Sequence, residues 1–276
     1  MNESNYYKIK GRYDMMKKLY KATMYRMMMS TGVRVSVMLT YVAAVLYYVL
    51  AWMVTDGKID AAYAESITGL GDSMILWFFG SLIVGVLVGG DFENKTIHAS
   101  LHYGRGKVII NYMLVFATLM FVLLVPYTIG SVYLITSGTD MRQAGGTVMS
   151  IYMENVLSYT THVSVVKIIF SYLAGLLVYI GQIAICIPVA LKCRKTVVVT
   201  AFGFLFGMLT AMVATLAQSI KTVGNIYQFT PYDYGISKIG CLASGYDIIS
   251  GIVVSIVFAM ICTVGGWLLF RRADVK

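Results

Sequence analysis

Charged side chains are absent from six long stretches of this chain, and polar segments separate these stretches. The stretches cover residues 35–55, 73–90, 108–139, 168–191, 196–220 and 248–270. A helix rises about 1.5 Å per residue and needs roughly 20 residues to cross the hydrocarbon core of a bilayer. Strands of a membrane barrel would be about half as long and would alternate in polarity. The pattern therefore predicts an all-α membrane protein with six transmembrane helices.

A basic segment precedes the first apolar stretch, because residues 1–34 contain eight of the 22 Lys and Arg residues. At about 100° per residue, the opposite faces of a helix here are lysine-rich and apolar. The apolar face would contain Tyr13, Met16, Tyr20, Met24 and Met27. This favours an amphipathic helix in the membrane interface, with its lysines toward anionic headgroups. The alternative is a basic flank that only sets the topology.

The distribution of basic residues predicts the orientation of the chain. Of the 22 Lys and Arg residues, 17 fall in four segments: 1–34, 91–107, 192–195 and 271–276. Cytoplasmic loops of membrane proteins carry such an excess. We therefore expect both termini to be cytoplasmic and the net charge of +9 to reflect topology, with no nucleic-acid partner. Residues 1–276 would form a single transmembrane domain, with a cytoplasmic segment at 1–34, a six-helix membrane part at 35–270 and a cytoplasmic tail.

The polar stretch 91–107 lies between the second and third apolar stretches. His98 and His102 are four residues apart and would share one helix face, with Asp91 and Glu93 nearby. Such a set can begin a metal site. The chain has no HExxH motif and no second cluster of ligand residues, so a solvated pair on an amphipathic helix is favoured and no metal is expected. The four cysteines show no CxxC spacing, which argues against a zinc site or a disulfide framework.

Two of the segments on the opposite side carry apolar patterns of their own. Within 140–167, a helical spacing predicts a helix lying on the outer leaflet; it links Met149, Tyr152, Met153, Val156 and Leu157. The segment 221–247 is marked by aromatic residues around one proline: Tyr227, Phe229, Pro231, Tyr232 and Tyr234. Aromatic residues at this depth form an interface belt, or they form an outer cap that contacts a substrate.

Two GxxxG motifs occur in the apolar stretches. Gly85 and Gly89 lie in the second stretch, and Gly203 and Gly207 lie in the fifth. Small residues four apart allow helix backbones to approach closely in lipid, although glycine-rich spans also produce this spacing by chance. The motifs therefore mark candidate helix-packing positions.

Several kinds of chemistry are missing from the sequence. It contains no GxxxxGK[ST] motif for nucleotide binding, no nucleophile–base constellation and no Asp, Glu, Lys, Arg or His near the middle of an apolar stretch. Carriers coupled to protons or ions usually place ionisable groups there. We therefore expect no catalysis by this chain and an energy source that lies elsewhere.

The loop after the second stretch resembles that of type 2 ATP-binding-cassette permeases. That family's loop typically reads acidic-Phe-Glu-x-x-Thr-Ile, then Leu, then Pro-x-x-Arg. Here Gly90 to Ile97 read GDFENKTI, followed by Leu101 and Arg105, and Gly104 stands about where the family often has Pro. The ending FRRADVK at 270–276 is similar to the family's basic end of the sixth span. The six spans and the amphipathic N-terminal helix also agree with the family.

The resemblance implies a bacterial permease subunit of the cytoplasmic membrane. Two such chains, identical or related, would pair, and each would bind a separate ATPase that holds ATP and Mg²⁺, with no cofactor in this chain. The region 91–103 would form the coupling helix that docks the ATPase. The first, second and fifth spans would line the path, and the segment after the fifth would cap it. The docking residues of the motif would be Asp91, Phe92, Glu93, Thr96, Ile97, Leu101 and Arg105.

We assign roles to four of these residues. Glu93 and Thr96 would act through local polar contacts, and Ile97 and Leu101, four apart, would present apolar knobs to the ATPase. The apolar spans offer aliphatic, aromatic and Met side chains, which favours export of a hydrophobic or amphipathic cargo such as a peptide or antimicrobial. The alternatives are a polysaccharide or lipid-linked cargo, and a membrane scaffold or sensor that uses the same ATPase docking to signal.

Overall fold

The computed structural model describes residues 3–140, 147–158, 165–233 and 245–272, and regular structure in these ranges is entirely helical. Short 3₁₀ turns occur at 61–63 and 68–70, and a π-helical turn at 85–89. The α-helices are α1 (Glu3–Met29), α2 (Thr31–Thr55), α3 (Ala64–Ile67), α4 (Asp72–Val84), α5 (Gly90–Glu93), α6 (Ile97–Leu101), α7 (Arg105–Thr136), α8 (Val148–Ser158), α9 (Val165–Ile183), α10 (Cys186–Cys193), α11 (Thr196–Ser219), α12 (Lys221–Tyr227) and α13 (Gly245–Arg272).

Six helical segments of the described residues are long and apolar enough to cross a membrane, which confirms the predicted number. We call them spans 1 to 6: Thr31–Thr55, Thr68–Glu93, Arg105–Thr136, Ile168–Cys193, Thr196–Ser219 and Ile248–Arg271. Span 2 is longer than its charge-free stretch and includes a charged residue near each end, Asp72 and Asp91. It therefore takes the beginning of the predicted polar loop, Asp91 to Glu93, into the helix.

The two prolines within spans behave differently. Span 3 is one unbroken helix of 32 residues that contains Pro126. Span 4 is interrupted by a turn at Ala184 and Ile185, four and three residues before Pro188. A proline lacks the amide hydrogen, and its ring meets the carbonyl four residues earlier, so a break at this point is the expected consequence.

Spans 2, 3 and 4 form the centre of the bundle, and spans 5 and 6 lie at its edge. In the most apolar window of each span, 72% of the residues in span 4 and 67% in span 2 are buried within the chain. The corresponding shares are 11% in span 5 and 17% in span 6. These two helices therefore present most of their apolar side chains to the surroundings.

The N-terminal helix α1 packs along span 3. Leu19, Thr23 and Met27 are buried on its inner face. The Asn111 amide donates to the Thr23 hydroxyl at 2.9 Å, and the hydroxyls of Tyr20 and Thr118 are 2.8 Å apart. Part of the face expected to enter the membrane interface is thus used against the protein itself.

The helix predicted within 140–167 is α8, but it does not lie free on a leaflet. Met149, Tyr152 and Met153 are at most 1% exposed and belong to the main core. The side chains of Val156 and Leu157, from the same predicted face, lie outside the described residues. Contact with the bundle uses the same apolar spacing that membrane contact would use, so the sequence pattern alone does not distinguish the two.

Two ends of the bundle can be defined from its contacts. The loop end contains residues 91–105, the last turns of α1, the start of α11 and the end of α13. The cap end contains Asp72, α8 and residues 227–232. These names are used below because they carry no assumption about which side of a membrane each end faces.

Candidate functional site

Asp91 is the centre of a buried polar cluster at the loop end. It is 1% exposed and forms an ion pair with the Arg26 guanidinium of α1. The Thr96 hydroxyl donates to Oδ1 and the Tyr112 hydroxyl donates to Oδ2, each at 2.6 Å. The Arg26 Nη1 also lies 3.0 Å from Thr96 Oγ1. A buried ion pair is tolerated when further hydrogen bonds satisfy its oxygens, as here. The cluster joins α1, the 91–96 turn and span 3.

Glu93 holds the start of span 5. Its two carboxylate oxygens each lie 3.0 Å from Thr196, one from the backbone nitrogen and one from the hydroxyl. Thr196 is the first residue of α11, and the preceding residue, Lys195, provides no side-chain cap. The first amides of a helix have no partner within it and carry partial positive charge, so a carboxylate there is favourable. Glu93, which is distant in the sequence, therefore caps α11 in place of a local residue.

Arg105 holds the end of span 6. Its Nη1 donates to the carbonyl oxygens of Phe270 and Arg271, at 3.2 and 2.5 Å. These carbonyls belong to the last turn of α13, where intrahelical partners are missing and partial negative charge accumulates. The rings of Phe92 and Phe270 meet edge to face at 6.1 Å beside this contact. The predicted polar loop is thus bound to helices that lie far apart in sequence.

The apolar residues of the loop are placed unequally. Ile97 is 1% exposed and belongs to the main core, so the apolar knob expected there is not available at the surface. Leu101 is partly buried against the same core. The exposed face of this short helix carries His98 and Ala99 instead. A spacing of four residues along a helix does not indicate which side of the helix is buried. In this structure the side that carries Ile97 packs into the core.

A shallow groove of about 240 Å³ runs beside this helix. It is lined by Phe92, Glu93, Lys95, Ile97, His98, Arg194 and Lys195. Gly104, which follows the loop, has φ +95°, a value that proline does not adopt. The glycine at this position therefore gives a turn that a proline would not permit.

No group of three or more His, Cys, Asp or Glu residues suited to a metal ion occurs in the described part of the chain. His98 and His102 are both exposed at the loop end. The two acidic residues before them in the loop are already engaged, Asp91 by Arg26 and Tyr112 and Glu93 by Thr196.

The glycines of the two GxxxG motifs lie where spans 2 and 5 touch. A Cβ at Gly89 would lie 2.9 Å from the Thr196 backbone nitrogen, and one at Gly85 would lie 2.8 Å from the Thr196 carbonyl oxygen. Further along, a Cβ at Gly203 would lie 2.2 Å from the Ser81 Cβ. Gly207 packs on the Trp77 ring, with an added Cβ at 2.7 Å. The two backbones approach closely along this line.

A small cavity of about 90 Å³ lies between spans 2 and 5 at the cap end. Tyr232 closes it, because its ring stacks on Trp77 at 6.1 Å and its hydroxyl donates to the Gln182 carbonyl at 3.1 Å. The Gln182 amide in turn donates to the Pro231 carbonyl at 3.0 Å. The Tyr227 hydroxyl donates to the Thr210 carbonyl at 3.0 Å. Three of the predicted cap residues therefore fasten residues 227–232 to spans 4 and 5.

The remaining cap residues differ from these three. Phe229 is 74% exposed, and Tyr234 lies outside the described residues. Burial, with a further contribution from Asp233, raises the pKa of Tyr227 to about 12. Burial also raises the pKa of Tyr232. Both phenols are therefore neutral near pH 7 and act as hydrogen-bond donors rather than as charges.

Sequence reasoning missed the partners of these residues. Nothing near these residues in the sequence indicates which partners they have. Arg26 pairs with Asp91, Glu93 binds Thr196, and Arg105 binds the carbonyl groups at the end of span 6. Asp72, the residue directly before the second apolar stretch, was not singled out from the sequence. The structure buries it completely.

No protein-family model matches this chain, and no curated protein matches it.

Proposed function

We propose that this protein is the transmembrane subunit of an ATP-driven transporter of the type 2 ATP-binding-cassette kind. The observation that supports this most is the set of attachments made by residues 91–105. Asp91 is bound to α1 and span 3, Glu93 to span 5, and Arg105 to span 6. A force applied to this segment would reach four other parts of the bundle directly.

In this proposal a separate ATPase binds the exposed face of the loop end. The surface available to it carries His98, Ala99 and His102, together with the groove beside Phe92 and Arg194. ATP and Mg²⁺ bind to the ATPase, and this chain contributes no catalytic residue. Closure of the ATPase displaces residues 91–105, and Glu93 transmits the displacement to the start of span 5. Ile97 contributes by fixing the loop helix to the core rather than by touching the partner.

The proposed cargo is a hydrophobic or amphipathic molecule such as a peptide, which enters from the membrane. The apolar and aromatic lining of the cavity at the cap end supports a hydrophobic cargo, Trp77, Phe204 and Met208 being among the lining residues, but with a volume of about 90 Å³ the cavity has to open to admit a peptide. Apolar burial stabilises such a complex by roughly 25 cal/mol per Å². Spans 5 and 6 expose broad apolar faces, which supports pairing with a second permease chain, identical or related, in a bilayer.

The proposed setting is the bacterial cytoplasmic membrane with both termini in the cytoplasm. The loop end collects Arg26, Lys95, Arg105, Arg194 and Arg271, and this excess of basic residues supports a cytoplasmic position for that end. Helix α1, with its exposed lysines, would then lie along the inner membrane surface and contact anionic lipid.

The experiment compares two matched substitutions at exposed alanines. Ala99→Arg places a long charged side chain on the loop helix, and Ala62→Arg places the same side chain on an exposed turn at the other end. The tagged full chain is purified in mild detergent from the cells that produce it naturally. Bound proteins are identified by mass spectrometry, and ATP hydrolysis by the complex is measured.

We expect an ATPase with a GxxxxGK[ST] motif to accompany the unaltered chain and the Ala62→Arg variant. Ala99→Arg should release it or remove its stimulation by the permease. Retention of the ATPase with full stimulation in Ala99→Arg would show that the loop is not the docking site. Uptake of a membrane-active peptide into inverted vesicles then distinguishes an exporter from a sensor, because a sensor moves no peptide.

A further inference from the structure

Asp72 is a carboxyl group inside the bundle that the proposed transport cycle does not use. It is the first residue of α4 and is 0% exposed. Its Oδ2 accepts the backbone N–H of Met149 at 2.9 Å and the Tyr179 hydroxyl. Its Oδ1 is buried and accepts no hydrogen bond from the residues that the structure describes, and the Thr147 side chain lies beside the carboxyl group. Asp72 thereby connects α8 and span 4 to the start of span 2.

The groups around Asp72 include no basic side chain that pairs with it in the described ranges. The titratable neighbours are tyrosines: Tyr47 and Tyr48 from span 1, Tyr127 from span 3 and Tyr179 from span 4. From the α8 side the contacts are neutral, namely the Met149 amide and the side chain of Thr147. The Thr147 hydroxyl is itself buried and forms no hydrogen bond with the part of the chain that the structure describes.

This environment favours an uncharged acid. An ionised carboxylate removed from water is expensive unless a cation pairs with it, and the neighbouring phenols and amides provide none. Two hydrogen bonds to Oδ2 and the start of a helix offset part of that cost, but within the described residues no hydrogen bond reaches the buried Oδ1. A proton on Oδ1 removes the charge and supplies a donor for the Thr147 hydroxyl oxygen.

A metal ion fits this position less well than a proton. The Thr147 side chain packs tightly against Gly71, the residue before Asp72, because a Cβ at Gly71 would lie 2.1 Å from Thr147 Cγ2. Hard cations also need about six oxygen ligands, whereas Asp72 is the only carboxylate among the groups described above.

We propose that Asp72 is a proton-binding site whose neutral form holds α8 and span 4 against span 2. Water reaches Oδ1 only when Thr147 and α8 move away from Gly71, so release of the proton is coupled to that movement. Val148 and Tyr179 also line the cavity at the cap end. The movement therefore opens the cavity wall, and a higher pH favours the open form. This inference does not depend on the proposed ATPase.

Infrared spectroscopy of the full chain in lipid nanodiscs tests the protonation. The carbonyl stretch of a protonated carboxylic acid should be present near pH 7 and absent in Asp72→Asn. Asp91→Asn is the matched control and should retain the band, because Asp91 is paired with the Arg26 guanidinium. Tyr179→Phe should shift the band, because one donor to Oδ2 is lost. A spectrum without the band, or a band that survives Asp72→Asn, overturns the proposal.

Thiol labelling tests the coupled movement. With the native cysteines replaced by serine, Met149→Cys places a buried thiol on α8. Labelling of this thiol by a water-soluble reagent should increase with pH. The increase should be larger than in the double variant that also carries Asp72→Asn, because in the double variant only ionisation of the thiol changes with pH. Gly71→Ala should raise labelling at every pH by displacing Thr147. Equal pH profiles with and without Asp72 overturn the coupling.

Discussion

Span 2 carries a buried aspartate near each of its ends, and the two are stabilised differently. Asp91, at the loop end, is paired with Arg26 and accepts hydrogen bonds from Thr96 and Tyr112. Asp72, at the cap end, is surrounded by tyrosines and one backbone amide and has no basic partner in the described residues. Burial of the same side chain thus has two solutions, a counter-charge at one end and, as we propose, a proton at the other.

The difference fits the roles that we propose for the two ends. An ion pair between α1 and the 91–96 turn is strong and directional, which suits a segment that transmits force. A neutral acid makes ordinary hydrogen bonds and can gain a charge when water reaches it, which suits a contact that opens. Two glycines of span 2 belong to the loop end. Gly85 and Gly89 allow the start of span 5 to pack closely against span 2 there.

The largest effect is expected from Arg26→Met, which leaves Asp91 buried and unpaired. Loss of one partner of a fully buried pair costs about 3–5 kcal/mol, and because the Arg26 side chain is 37% exposed we expect a smaller loss of about 2–3 kcal/mol. The measurement is the free energy of unfolding in mixed micelles titrated with a denaturing detergent. Lys18→Met, at an exposed position of the same helix, is the control and should change little. Asp72→Asn should cost far less than Arg26→Met. Similar stability losses in all three variants would remove the distinction between the two ends.

The next effect concerns the contact of spans 2 and 5. Gly89→Ala should reduce the free energy of unfolding by about 1–3 kcal/mol, because the added methyl meets the Thr196 backbone, which does not yield. Gly90→Ala is the matched control, since the nearest atom to its added methyl is 4.0 Å away. The same detergent titration compares them. If Gly90→Ala proved the more damaging of the two, the close approach at Gly89 would be refuted.

A smaller effect is expected from Tyr127→Phe at the cap end. The Tyr127 hydroxyl is buried and donates to the Leu70 carbonyl at 2.8 Å, just before Asp72. Its removal leaves a buried acceptor and should cost about 0.5–1.5 kcal/mol. Tyr133→Phe, on a side chain that is 70% exposed, serves as the control. An unchanged stability in Tyr127→Phe would mean that the tyrosines do not support this end.

The smallest effect is expected from Glu93→Gln. The substitution keeps an acceptor for the Thr196 amide but removes the negative charge at the start of α11, a loss of about 0.3–1 kcal/mol. The loss should shrink in high salt, because screening weakens the charge interaction. Asp56→Asn, in an exposed pair with Lys58, is the comparison. A Glu93→Gln loss that does not depend on salt would point to hydrogen bonding alone.

The pattern of apolar residues was sufficient to predict the class of fold. Six stretches without charge predicted six helices, and six such helices are present in the described residues. The polar segment after the second stretch was found in the same way, because a run of charges between two apolar stretches is visible locally. The helix at 148–158 was also found from its spacing, while its burial against the bundle was not.

Which polar side chains meet was decided by tertiary structure alone. Arg26 and Asp91 are 65 residues apart, and Thr196 and Glu93 are 103 apart; nothing in the neighbourhood of either residue indicates the pairing. The sequence determines how much apolar surface each helix has to bury, since that is a local property of composition and period. The packing of the helices determines which side chains lose contact with water, and therefore that Ile97 is part of the core and that Asp72 needs a proton or a partner.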